Sequence, residues 1–370
     1  MSLKLEDINN IIIKKISEDR PSNKDYKEYL REAFKLCRDT INQLSDISIA
    51  RELPNDFDKD LLNKELLKST TALLKAYSSY SEGKLITAIN FMKRFLATDA
   101  IKTFYLNPHQ SWFRARKTTS NSSRGFKAKE MFHIPFEKRT DIVNYRYSIT
   151  GYPCLYIGNS ILSCWEEMHT PALDDFVVSR VQVNSDKQVK TLDLRIPYQT
   201  DSTPLWYSND SERRKDNLML LKTWPLIIAC SIKTITPDAQ FKYEYIHPQL
   251  LMLALKEQEN DFYGIAYTST HIDSNMGEDN DKYTNVAIPV KQVRGKGLCK
   301  ILCDTFSITR GVPFMEAEIK NVFDMANNYN LEDGHLISTY RGGTAPYENT
   351  KFGQLEEFLK SSSVILEPLK

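Results

Sequence analysis

The sequence predicts an α+β fold, with a helical N-terminal bundle followed by a mixed α/β domain. Three observations carry that reading. Apolar residues recur at spacings of three and four through residues 1 to about 104. From Asn107 onward, short runs alternate with period two between turn-forming residues. Strands and helices then mix without the regular βαβ rhythm of a doubly wound sheet.

The helical block is built from three periodic segments. Lys24 to Ser45 places Tyr26, Leu30, Phe34, Cys37, Ile41 and Leu44 on one stripe, and Pro21-Ser22-Asn23 supplies a capping signal before it. Leu61 to Tyr80 repeats the pattern with Leu62, Leu66, Leu73 and Tyr77, and Gly83 closes it. Ile86 to Phe104 continues it through Ile89, Phe91, Phe95 and Ile101. The expectation is a bundle of three or four helices.

In the second block, Trp112 to Lys117 reads as a short strand, and the Ser/Thr/Asn-rich segment Thr118 to Gly125 reads as a loop over a site. Phe132 to Arg139 starts a turn and a short helix. Strands are expected near Tyr145 to Ile149 and Cys154 to Ile157, joined by a turn at Thr150-Gly151. Asn159 or Ser160 then caps a helix through Met168. Phe176 to Val183 and Lys190 to Leu194 have strand periodicity. Leu218 to Thr223 is read as a helix that stops before Trp224-Pro225, and Tyr243 to Leu255 as an apolar helix. Ile265 to Ser269, Tyr283 to Ile288 and Cys299 to Phe306 are read as late strands. Helices over Glu316 to Asn327 and Gln354 to Leu359, around an Arg341-Gly342-Gly343 turn, make a small C-terminal extension. The domain expectation is therefore 1–105, 106–310 and 311–370.

Composition narrows the classes. A net charge of +1 gives no long-range field for nucleic acid or an anionic membrane surface. Apolar runs such as Leu226 to Cys230 fall far short of the roughly 18 residues a membrane span demands. The acidic start Met-Ser-Leu-Lys-Leu-Glu-Asp lacks the apolar core of a signal peptide. Six scattered cysteines show no metal-like pairing and fit a reducing compartment, so a cytoplasmic protein without a metal is expected.

The chemistry-bearing residues cluster in Trp112-Phe113-Arg114-Ala115-Arg116, Tyr145-Arg146-Tyr147-Ser148, Cys154-Leu155-Tyr156-Ile157 running into Cys164-Trp165-Glu166-Glu167-Met168, and, about a hundred residues later, Tyr263 to Ser269. Arginine, then glutamate, then serine in that order, with Tyr156 and Glu167 eleven residues apart, resembles the RES family. The resemblance covers roughly residues 112 to 306. It implies an ADP-ribosyltransferase-like fold and attack on NAD at the nicotinamide–ribose bond, by phosphorolysis or hydrolysis, in a toxin accompanied by a cognate antitoxin or in an immunity effector working the same way. Glu167, Arg114 and Ser269 are the catalytic candidates, and Arg114, Arg146, Tyr156 and Ser269 the NAD-binding ones.

These residue types suit that chemistry. Breaking an N-glycosidic bond passes through an oxocarbenium-like state that a carboxylate stabilises, the role for Glu167. Guanidinium groups match the pyrophosphate, an aromatic ring stacks on nicotinamide, and a serine hydroxyl binds a phosphate or the ring amide. Helical periodicity does not choose between Glu166 and Glu167; the family spacing favours Glu167. Arg116 competes with Arg114 for the first position. Arg146 has a structural alternative, stacking between Tyr145 and Tyr147. His133 and His271 read as surface or internally satisfied histidines. The usual RES text around the second arginine, two glycines before and Trp-Asn after, is replaced here by Asn144-Tyr145-Arg146-Tyr147-Ser148.

The helical block looks HEPN-like in arrangement, but no histidine precedes His109, so the Arg–His signature of HEPN ribonucleases is missing. It is expected to serve as scaffold, sensor or homodimer surface. The alternatives to NAD depletion are an ADP-ribosyltransferase acting on a specific protein and an inactive nucleotide-binding module.

Overall fold

The structure, a computed structural model, describes residues 2–97, 101–118, 126–184, 188–197, 210–236, 238–257, 261–270, 280–315, 336–338, 344–361 and 364–369. The fold is α+β, and the chain divides into two compact units. Unit 1 contains residues 1–104, 144–149 and 192–265; unit 2 contains 105–143, 150–191 and 266–370.

Unit 1 opens with α1 (Leu5–Ser17), α2 (Tyr26–Ile41), α3 (Asp46–Glu52), α4 (Lys59–Ser81) and α5 (Leu85–Leu96). The α2 stripe from Tyr26 to Leu44 is buried throughout. Its cap is Asp25, whose carboxylate accepts the Glu28 N–H at 3.0 Å, rather than the Pro21-Ser22-Asn23 stretch. Asp58 does the same for α4, and Gly83 ends α4 with φ +76°, a conformation glycine adopts without steric cost. The third periodic segment breaks early. Helix α5 stops at Leu96, and Thr103-Phe104-Tyr105-Leu106, a β-branched and aromatic run, forms strand β1.

The helical unit also takes in residues far beyond 105. Helix α8 (Asp210–Ser231) carries Arg214 and Asn217, which donate to the Ala50, Leu53 and Glu52 carbonyls at the end of α3. Lys222 pairs with Glu65 at 3.0 Å, and the Trp224 indole donates to Asn9. Helix α9 (Ile246–Glu257) stacks His247 on Tyr77, and the buried ring bonds the Leu73 carbonyl at 3.0 Å. The expected break before Trp224-Pro225 is absent: α8 runs straight through Pro225. An internal proline costs roughly 3 kcal/mol. Burial of Leu220, Leu221 and every residue from Thr223 to Ser231 offsets it.

Unit 2 is built on sheet strands β2 (Ser111–Lys117), β3 (Cys154–Gly158), β4 (Phe176–Val183), β7 (Thr284–Pro289), β8 (Phe306–Ile308), β9 (Val312–Pro313) and β12 (Glu367–Pro368). Strands β1, β5 (Val189–Leu194) and β6 (Gly264–Thr268) hold residues of both units. Within unit 2 the order is β7-β3-β2-β4-β8-β12, with β9 also on β4 and every pairing antiparallel. Leu336–Ser338 and Thr344–Pro346 (β10 and β11) form a separate antiparallel pair. Strand β2 matches β4 along its whole length, but meets β3 at only one residue pair, Phe113 with Gly158. The two strands therefore diverge beyond that point, as β2 runs on from Arg114.

Helices α7 (Ile161–Glu167) and α11 (Lys351–Lys360) cover one sheet face, burying Ile161, Cys164, Leu355 and Leu359 against Phe113, Phe176 and Val178. Phe314, Leu355 and Leu359 thus join this unit's core. Helix α6 (Ala128–Met131) lies on the other face, where Met131 approaches Gly311 beside Val177, which alternates with Phe176 and Val178. Two further expectations change. Cys299 to Phe306 is mainly helix α10 (Lys300–Thr305), because a short apolar run fits either period. Residues 145–149 form a turn, closed by the Ser148 N–H on the Tyr145 carbonyl, and no strand. His271, Glu316 to Asn327, Arg341-Gly342-Gly343 and all but Thr118 of the Thr118–Gly125 loop lie outside the described residues.

Candidate active site

Helix α7 is started by Ser160, whose hydroxyl oxygen accepts the Ser163 N–H at 2.9 Å while its O–H donates to the Lys282 carbonyl. The helix is only seven residues long and delivers Glu167 at its last position. It is stopped by His169 and Thr170 at φ +59° and +48°. Left-handed backbone at non-glycine residues costs about 1–3 kcal/mol each. The Thr170 N–H to the Trp165 carbonyl, and the Trp165 indole to the Pro171 carbonyl at 2.9 Å, hold the turn closed.

Two buried side chains hold the Glu167 carboxylate. Asn285 on β7 donates to Oε1 at 3.3 Å, and the Tyr267 hydroxyl on β6 donates to Oε2 at 3.5 Å. Asn285 is itself oriented by the Ser163 hydroxyl, which donates to its Oδ1 at 2.8 Å. Gly158 makes room for this chain. A Cβ there would sit 2.9 Å from both Asn285 Oδ1 and Cys164 Sγ. Ser269 follows Tyr267 by two residues; it is buried, and its N–H donates to the Tyr283 carbonyl at the entry to β7. Glu167, Tyr267, Asn285 and Ser269 therefore occupy one neighbourhood at the β6–β7 side of α7.

Arg114 comes from the middle of β2. Its Nε donates to the Met131 carbonyl at 2.6 Å and its Nη1 to the Tyr156 carbonyl at 2.9 Å. Because Phe113 faces α7, strand alternation directs Arg114 from the opposite face, toward α6. Its reach to Tyr156 passes through the region where β2 and β3 diverge. Strand β3 thus links both halves, receiving Arg114 at Tyr156 and admitting Asn285 beside Gly158 two residues later. Arg114 and Glu167 thus approach from opposite faces of the sheet. Burial pushes the Cys164 thiol up to about 12.

Tyr156 is half-buried and paired across the strands with Ala287. Arg116 donates to the Glu130 carbonyl, and its guanidinium lies 4.9 Å from the Phe126 ring centre, away from this group. His133 is buried. Its Nε2 accepts the Cys299 N–H at 2.8 Å while Nδ1 bonds the Ile134 carbonyl; burial lowers its pKa to about 4, leaving the ring neutral.

Arg146 belongs to unit 1, where it donates to the Cys230 carbonyl at 3.1 Å and to Thr234, with its guanidinium over Tyr245. The Gln249 amide holds the same turn by donating to the Tyr145 carbonyl.

The sequence is 31% identical over 335 residues to “Putative toxin YopC” of Bacillus subtilis (strain 168), an alignment covering 86% of this chain and 74% of that protein. The chain belongs to the YopC family. No family model matches the sequence, and no solved structure matches it. No family model supports the resemblance to RES proteins, which rests on the order of Arg114, Arg146, Tyr156, Glu167 and Ser269 in the sequence alone.

Sequence reasoning about this YopC-family member missed several supporting residues. Asn285 and Tyr267 lie inside strands, where polar or aromatic residues carry no signal of their own. Glu356 on α11 is also unannounced. Its buried carboxylate accepts the Ile161 N–H at 2.7 Å and the Tyr347 hydroxyl, so it holds the first turn of the helix that carries Glu167. Burial raises its pKa above the ordinary value.

Proposed function

We propose that this YopC-family chain is a toxin that consumes NAD by cleaving its nicotinamide–ribose bond. The relative's name supports the toxin role. The observation that carries the chemistry is Glu167, oriented by the neutral donors Asn285 and Tyr267 beside Ser269. Hydrogen bonds from such donors orient a carboxylate toward a developing cation.

In this reading the C–N bond breaks with its electron pair leaving on nicotinamide, and Glu167 stabilises the ribosyl oxocarbenium until water or phosphate attacks it. Tyr156 stacks on the nicotinamide ring. Arg114, anchored on two carbonyls, offers a positionally fixed charge to the pyrophosphate. Ser269 binds a phosphate or the ring amide. Arg146, fastened within the helical unit, is assigned no substrate contact. A protein that drains NAD from its own cell also requires a neutralising partner, which we assign to a cognate antitoxin.

The test is NAD loss by the purified protein, with products identified in the presence and absence of phosphate. Glu167→Gln should lower turnover by about 10²–10³ with little change in NAD affinity, whereas Glu166→Gln should leave turnover intact. Full turnover in both variants refutes the carboxylate role, and label appearing on an added protein in place of free product identifies ADP-ribosyl transfer.

A further inference from the structure

We infer that a groove between α4 and α5 docks an acidic amphipathic helix of a partner protein. The groove encloses about 500 Å³ in the helical unit and is lined by Leu67, Phe91 and Phe95 together with Lys68, Lys75 and Arg94. None of its lining residues is Asp or Glu. Leu67 is 55% exposed, a large apolar side chain with water over much of it. The Arg94 guanidinium lies 5.3 Å from the Phe91 ring centre, on an aromatic platform for the charge.

The arrangement selects among occupants. Lys68 and Lys75 are two helical turns apart, about 10 Å along α4, and Arg94 faces them from α5. Carboxylates at corresponding intervals on a helix laid along the groove would meet these cations while its apolar stripe covers Leu67, Phe91 and Phe95. A nucleic-acid backbone uses cations but leaves the apolar lining uncovered, and three cations form only a short track. An uncharged apolar helix would cover the apolar lining and leave the cations unmatched. This inference is independent of the NAD reading, since no residue of the groove belongs to the candidate active site.

The test uses the full chain and a fluorescent synthetic helix of about 18 residues with a leucine stripe flanked by glutamates. Two control peptides carry lysine flanks or a serine stripe. The glutamate peptide should bind at least about tenfold more tightly than either control, and binding should weaken with salt. The triple variant Lys68→Glu, Lys75→Glu, Arg94→Glu should reverse the charge preference, and Leu67→Asp should weaken binding while the lysine-flanked control stays weak. These exposed positions tolerate substitution without unfolding the bundle, which circular dichroism verifies. No binding of the glutamate peptide, equal binding by the serine-stripe peptide, or unchanged binding in the triple variant overturns the inference. Tighter binding of a single-stranded oligonucleotide at the same residues does so too, as does self-association of the wild type that the triple variant abolishes.

Discussion

Gly158→Ala is the most exacting test of how Glu167 is held. The added methyl would stand 2.9 Å from Asn285 Oδ1, 2.9 Å from Cys164 Sγ and 3.2 Å from the Ser160 carbonyl. Ordinary carbon contacts lie near 3.5–4.0 Å, so the neighbours must yield by about half an ångström or more. Overpacking of this kind costs about 1–3 kcal/mol. Weakening the Ser163–Asn285–Glu167 hydrogen bonds adds about 1 kcal/mol. Urea unfolding should therefore show a loss of about 2–4 kcal/mol with an unchanged slope. Adding Cys164→Ala removes one of the opposing atoms, and the double variant should be more stable than the two single costs predict, with a coupling of about 1 kcal/mol. NAD turnover by the folded fraction should also fall, since Asn285 no longer orients the carboxylate. A Gly158→Ala protein within about 0.5 kcal/mol of wild type would refute the packing argument.

Two other expectations follow from Glu356 and Arg146. For Glu356, the native state favours the protonated acid. Its contribution to stability is therefore fully present below the ordinary value of 4.5 and lost as pH rises through the raised native value. Glu356→Gln keeps an acceptor for the Ile161 N–H and should flatten that part of the stability–pH curve; superimposable curves would show that the carboxyl does not titrate there. Arg146→Ala removes contacts to Cys230, Thr234 and Tyr245 and should cost about 1–3 kcal/mol while sparing NAD turnover. Lost turnover at unchanged stability would return Arg146 to the substrate site.

Much of the architecture was legible because it is periodic. The stripes of α2 and α4, the strands β2 and β4, and the Ser160 cap before α7 each depend on local sequence, and each lies where that sequence puts it. What was not legible depends on partners distant in sequence. Helix α8 runs through Pro225 because its surroundings bury it, and nothing in the segment itself reports those surroundings. The resemblance makes Arg146 a pyrophosphate ligand, and nothing near it in the sequence announces its partners Cys230 and Thr234, more than eighty positions away. The cluster around Glu167 was half visible. The acid and Ser269 stand in a readable order, whereas Asn285, Tyr267 and the space at Gly158 emerge only when α7 packs on the sheet.

The bond between Glu356 and the Ile161 N–H spans 195 positions. During synthesis, α7 leaves the ribosome long before α11 exists to hold it. At about 5–20 residues per second, that interval lasts roughly 10–40 s. Until it closes, a short helix ending in a strained turn lacks the carboxylate that secures its first turn, and Glu167 has no fixed bearing. The site thus matures late, on a clock set by translation. Mutations near residue 356 would therefore disturb the timing and the geometry of an acid placed early in the chain.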